Sequence, residues 1–148
     1  MTEQNLEVAR RLLSNFRDRD TQAEAGFSDS DLAANVALLD PDVELDATRV
    51  PMDDIRGTYR GVEENAGFWA RWLEAWEGFD FDTTFTAVGD DVLVAVPRQR
   101  MRGRGSGVDV DFPPYWILMT VRGGRLVRYV FFTDEREARA AAGRSAPS

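Results

Sequence analysis

The sequence predicts an α+β domain, and three observations carry that reading. Apolar residues in the first half of the 148-residue chain recur at helical spacing. From Phe79 onward the period changes to two, and the alternating stretches are joined by the turns Gly89-Asp90-Asp91, Gly105-Ser106 and Gly123-Gly124. Helices followed by a run of hairpin-linked strands describe α+β rather than alternating α/β architecture. The length suits one domain with a sizeable core, read as residues 1–143, followed by a flexible tail over 144–148.

The elements follow in order. Leu6, Ala9, Leu12, Leu13 and Phe16 fall three and four apart, giving an amphipathic helix over residues 5–18 with Arg10, Arg11 and Arg17 off its apolar face. Residues 19–27 are polar and connect. Ser28 with Asp31 forms a capping box for a second helix, whose stripe is Leu32, Val36 and Leu39 and whose stop is Asp40-Pro41. Alternation over Val43–Thr48 reads as a short strand, and residues 49–60, with Pro51 and Gly57, as a loop. A third helix over 61–77 carries Val62, Ala66, Trp69, Leu73 and Trp76 on one stripe, flanked by Phe68 and Trp72, with Gly78 as its stop. Strands then begin at Phe79, Val92, Gly107 and Arg125. Asp134 with Glu137 caps a short alanine-rich helix ending at Gly143. A curved sheet wrapped around helices encloses a cavity of the kind in which small molecules bind.

The 18 basic residues are all Arg, and Lys, His and Cys are absent. This removes Schiff-base chemistry, Ser-His and Cys-His nucleophile pairs and His/Cys zinc sites. Acid–base work would fall to Asp, Glu, Tyr or water. A net charge of −8 disfavours nucleic acid and anionic membrane surfaces as partners. No apolar run approaches the roughly 18–20 residues of a membrane span, and the charged start of the chain is unlike a secretory leader. The expectation is a cytosolic protein without metal or cofactor.

Several constellations have a structural reading beside a chemical one. Arg98, Arg100, Arg102 and Arg104 share one face of a strand and could form an anion site. With Gly105-Ser106 as a two-residue turn, however, Arg102 faces Asp109 and Arg100 faces Asp111, which accounts for two of the four by cross-strand pairing. The same register puts Gln99 beside Phe112 and Met101 beside Val110, lining the concave side. Gly103–Gly107 precedes a strand, not the helix that a phosphate cradle requires. Asp40, Asp42, Glu44 and Asp46 alternate like calcium-loop ligands, but Leu45 and Pro51 stand where the loop needs Gly and an acid.

Asp46, where the first strand enters its loop, is the candidate general base. Val43, Leu45 and Ala47 form the buried set of that strand, which sends Asp46 to the opposite face unless the strand end twists. The aromatic set Phe16, Tyr59, Trp69, Trp72, Trp76, Phe112, Tyr115, Trp116, Tyr129 and Phe132 builds core, and part of it would line a cavity. Pro113-Pro114 breaks its strand and turns either Tyr115 or Trp116 inward.

Residues 38–45 (LLDPDVEL), 57–63 (GTYRGVE), 103–110 (GRGSGVDV) and 124–128 (GRLVR), followed by the acid-capped helix, together resemble the SnoaL-like, polyketide cyclase-like group of the nuclear transport factor 2-like superfamily, to which ketosteroid isomerase belongs. The resemblance implies a cone-shaped curved antiparallel sheet around three N-terminal helices, an interior pocket, and a homodimer through the outer face of the sheet. Ketosteroid isomerase uses an Asp base with Tyr and protonated Asp donors; on that pattern Asp46, or Leu45 one residue earlier, stands at the base position. The first helix has no Tyr, and Tyr115 and Trp116 stand where the second acid is expected. The implied function is binding of a small apolar or cyclic molecule in a mostly apolar pocket. Phe16, Trp69, Trp72, Gln99, Met101, Phe112 and Trp116 would contact it. Cofactor-free isomerase or cyclase chemistry would use Asp46 as base and Tyr59 or Tyr115 as oxyanion donor. The alternative is a non-catalytic ligand-binding or interaction module.

Overall fold

In the computed structural model, which describes residues 2–17, 37–50, 53–103 and 105–145, alternation and turns produce a single seven-stranded sheet. Helix α1 spans Thr2–Arg17. Strands β1 (Leu39–Asp46) and β2 (Thr58–Arg60) precede α2 (Gly61–Ala75). The sheet continues through β3 (Trp76–Val88), β4 (Asp91–Gly103), β5 (Asp109–Phe112), β6 (Tyr115–Arg122) and β7 (Arg125–Phe132), and α3 (Glu135–Ser145) closes the chain. The spatial order is β2-β1-β7-β6-β4-β3, with β5 on β4; β1 and β7 are parallel and all other pairs antiparallel.

One face of the sheet packs on α1 and α2 and holds the main core, including Val43, Leu45, Phe68, Trp72, Val94, Met101, Tyr129 and Phe131. The other face carries α3, whose Ala138 and Ala142 pack on Leu93, Leu118, Val130 and Phe132. Because both faces of β7 are covered, its last four residues are all buried instead of alternating.

The α+β order and the register of the β4–β5 hairpin stand as expected: Arg102 pairs with Asp109 and Arg100 with Asp111. Their side chains meet at 3.1 and 3.0 Å, and Arg98 reaches Asp82 on β3 at 3.0 Å. Several boundaries differ. Thr58–Arg60, read as loop, pairs with β1. β1 begins at Leu39, with Pro41 tolerated because the β1–β7 register is irregular between Leu39 and Glu44. α2 ends before Gly78: Trp76 is already extended (φ −130°, ψ 145°), its N–H bonds the Trp72 carbonyl, and it opens β3. α3 runs on through Gly143 to Ser145. Of the three N-terminal helices expected, two fall within the described residues; the helix read over 28–39 lies outside them except at its end. Among the described residues, no helix is long and apolar enough to cross a membrane.

The sheet bends at one level. Pro97 in β4 stands opposite the Pro113-Pro114 break between β5 and β6, and none of the three can donate to the ladder. On the other side, β3 shifts register between Asp82 and Thr84, across from the same stretch of β4. Three adjacent strands are thus interrupted together, and a bulge at such a level increases twist and curvature.

Candidate functional site

At this bend lies a cavity of about 80 Å³, lined by Trp72 of α2, Phe112 of β5, Pro113, Pro114, Tyr115 of β6, Phe131 and Phe132 of β7, Thr133, and Arg49 and Val50 from the β1–β2 loop. Trp72 reaches Phe112 edge-on at 5.9 Å between ring centroids, and Tyr115 lies 5.9 Å from Phe131. Pro113, Pro114 and Thr133 are exposed, so the cavity opens to the surface beside them. Among the described lining residues there is no carboxylate.

Beneath the cavity, Phe68 packs edge-on against Tyr59 and Trp69 at 5.1 and 4.8 Å. A buried polar chain runs alongside. Trp69 Nε1 donates to the Tyr129 hydroxyl at 3.0 Å, which donates to Asn65 Oδ1 at 2.7 Å. Asn65 Nδ2 in turn donates to the carbonyls of Gly61 (2.8 Å) and Val43 (3.3 Å), tying α2 to β1. Every strong polar group in this chain has a partner, as burial demands. The Tyr115 hydroxyl donates to Gln99 Oε1, and Gln99 Nε2 lies 2.9 Å from Met101 Sδ.

Burial pushes the Tyr115 and Tyr129 hydroxyls well above the ordinary tyrosine range, against the opposing hydrogen bonds with Gln99 and Trp69 respectively. Both are therefore hydrogen-bond donors at neutral pH. Their folded-state pKa values exceed those of the unfolded chain, so the stability they confer is present below about pH 10 and is lost as pH rises further. Absorbance titration at 295 nm should show Tyr115 and Tyr129 ionising together with unfolding; their titration near pH 10 in the folded state would contradict their burial.

Asp46 sits differently. It pairs with Val130, which faces α3, whereas Leu45 pairs with Tyr129 on the core face. Its Oδ1 accepts from the Thr48 backbone N–H (3.0 Å) and hydroxyl (2.6 Å), and Oδ2 lies 3.5 Å from Arg49 Nη1. Partial burial would raise its pKa, but the two Thr48 bonds and the charges of Arg49 and Arg128 outweigh this and hold it below its ordinary value. A depressed carboxylate stabilises the fold above the unfolded pKa near 4, and that contribution disappears as pH falls through the folded value. Asp46→Asn is accordingly expected to be less stable than the parent at pH 7 and to match it at about pH 2, as urea denaturation at the two pH values would read.

The sequence-selected residues divide. Trp72, Phe112 and Tyr115 meet at the cavity. Trp69, Gln99 and Met101 are on the same face of the sheet but in the packing behind it. Trp116 packs with the α3 cluster, so Tyr115 is the ring that turns inward. Tyr59 donates to the Ile55 carbonyl at 2.6 Å and packs on Phe68. Phe16 lies within α1, but its side chain is outside the described residues. Arg49, Val50, Phe131 and Thr133 were not anticipated. The period-two pattern from Tyr129 does point to Phe131, whereas nothing in the loop composition marks Arg49. Among the described residues, no three acidic side chains are gathered to hold a metal ion.

A family model described as the SnoaL-like domain matches residues 21–129. No curated protein matches. Solved structures share the fold, among them the following three. A protein from Jannaschia sp. CCS1, named as a candidate SnoaL-like polyketide cyclase, is 22% identical, with 99% of this chain and 96% of that chain covered and a TM-score of 0.69. An NTF2-like protein of unknown function from Burkholderia pseudomallei K96243 is 20% identical over 90% of this chain and 93% of that one, with a TM-score of 0.68. TerC, co-crystallised with polyporic acid, is 20% identical over 96% and 99%, with a TM-score of 0.66. At these identities the likeness is one of fold.

Proposed function

The chain belongs to the SnoaL-like domain family, and from that premise we propose that it is a binding protein for a small, largely apolar molecule, seated at the bend of the sheet. The observation that carries this reading is the cavity itself: five aromatic side chains and no carboxylate among its described lining residues. Aromatic walls reward flat apolar surfaces, at roughly 1 kcal/mol for each 40 Å² or so removed from water. A cyclic molecule fits such walls with little loss of internal freedom.

Binding without catalysis is favoured over isomerase or cyclase chemistry. Proton abstraction next to a carbonyl needs a base within hydrogen-bond reach of the substrate, with a pKa raised toward neutrality. Asp46 has the opposite pKa shift and is committed to Thr48 and Arg49. Tyr115 has a donor's protonation state, but its proton is directed to Gln99. A homodimer through the outer sheet face belongs to the same proposal. The uncovered part of that face carries the Arg98, Arg100 and Arg102 rows with their acidic neighbours, so self-association would weaken as salt rises.

Native mass spectrometry of protein purified from its source tests the binding reading directly. The expected result is a bound neutral mass that is lost in Val50→Phe, a variant that fills the cavity from a buried lining position. Val50→Phe retaining the mass while keeping a cooperative thermal transition would move the ligand elsewhere. Parent protein without any bound mass, and without affinity for aromatic probes, would overturn the proposal.

A further inference from the structure

Arg49 is the one charged residue among the described lining of the cavity. An unengaged guanidinium beside aromatic walls would be a ready site for a carboxylate. This one is already engaged. Its Nε bonds Glu137 Oε1 at 2.7 Å, its Nη1 lies 3.5 Å from Asp46 Oδ2, and the guanidinium lies over the Phe132 ring at 4.8 Å. The start of α3 next to the opening offers no unanswered positive end either, because Asp134 Oδ1 accepts from the Glu137 N–H at 2.9 Å. Arg128, the other guanidinium acting on Asp46, is not among the described lining residues. An entering anion would have to sit beside two carboxylates or displace Glu137 from Arg49, in a protein of net charge −8.

Size adds a second constraint. The cavity, at about 80 Å³, is smaller than the apolar cavities of about 150 Å³ known to enclose benzene. A ring system therefore seats only partly, and its remaining edge projects past Arg49 and Thr133.

We propose that Arg49 and Glu137 act together as the charge-selecting pair of this cavity, so that its ligand is an uncharged cyclic molecule with a hydrogen-bond acceptor at the projecting edge. The inference rests on the cavity being the binding site. Arg49 retains N–H groups not used by Glu137, and these, with the Thr133 hydroxyl, suit a carbonyl or ether oxygen. Glu137 is the determinant that turns a cation into a neutral surface, and its half-exposed side chain makes it replaceable without disturbing the core.

The test uses two probes that share a ring system and differ in charge: methyl 2-naphthoate and 2-naphthoate, titrated by tryptophan fluorescence at physiological salt. The ester is expected to bind at least tenfold more tightly than the carboxylate. In Glu137→Gln that ratio should fall at least threefold, chiefly through tighter carboxylate binding, because Arg49 is then released. The change in ratio separates the pair's role from the ordinary cost of desolvating an anion, which both proteins share. Equal or tighter carboxylate binding in the parent, or an unchanged ratio in Glu137→Gln, would overturn the inference while leaving the cavity as a binding site. Failure of both probes to bind would overturn this inference and, where the parent protein also carries no bound mass, the binding reading with it.

Discussion

Phe68→Ala is expected to cost about 4 kcal/mol of unfolding free energy, the largest effect of any single substitution considered. Phe68 is fully buried and stands at the centre of the ring cluster, with Trp72 and Phe131 at 6.5 and 6.4 Å beyond its closer neighbours Tyr59 and Trp69. The cost has two parts: the transfer free energy of the ring, and a void that the surrounding bulky rings cannot collapse into. In a domain of this length each kcal/mol moves the midpoint by roughly 2–4 °C, so thermal unfolding should fall by about 8–16 °C. Phe68→Leu, which keeps most of the volume, should lose less than half as much. Urea denaturation with an unchanged slope is the measurement; a loss below about 2 kcal/mol would mean that the cluster repacks around the missing ring.

The second large effect is polar. Asn65→Leu is nearly isosteric, yet it removes the side-chain donor from the carbonyls of Val43 and Gly61 and leaves the Tyr129 hydroxyl without its acceptor. Unsatisfied buried groups cost about 1–3 kcal/mol each, partly offset by the added apolar burial, so a net loss of about 3 kcal/mol is expected. Tyr129→Phe alone should cost about 1–2 kcal/mol, since Trp69 Nε1 and Asn65 Oδ1 both lose a partner. The double variant Asn65→Leu, Tyr129→Phe should cost clearly less than the sum, because the hydroxyl that the first change strands is removed by the second. Strict additivity of the two, measured by equilibrium denaturation, would show that the groups do not act as one chain.

How much of this was legible in the sequence depended on range. The β4–β5 hairpin followed from one turn, because fixing Gly105-Ser106 fixes every partner from Arg102–Asp109 to Gln99–Phe112. The proline break was legible for a similarly local reason: a missing N–H is a property of the residue. What failed was set by distant contacts. β2 is three residues long and becomes a strand only because β1 lies beside it. Trp76 continues the helical stripe of α2 by spacing, but pairing with Gly103 makes it a strand residue. The candidate site shows the same division. Phe112 and Tyr115 announced themselves as aromatic rings flanking the proline break, and Trp72 as one of the aromatic set on the helix. Arg49 joined them through Glu137 and Phe132, residues far along the chain whose approach no spacing rule encodes. For Asp46 the alternation of β1 already indicated the face that the Val130 pairing shows.

The parallel pairing of β1 with β7 bears on how the chain acquires this structure. Leu45 is a fully buried core residue, and its neighbour in the sheet, Tyr129, follows it only after β2 to β6 have intervened. The hairpins β3–β4 and β6–β7 can form from local segments, but β1 has no neighbour other than the short β2 until β7 exists. High contact order of this kind slows folding, since a long loop must close before the contacts that reward it are made. On the ribosome, β1 and α2, which packs against it, would wait for β7 to emerge. Synthesis therefore delivers an intermediate with its apolar face uncovered, and the last strand both completes the sheet and hides that face from aggregation.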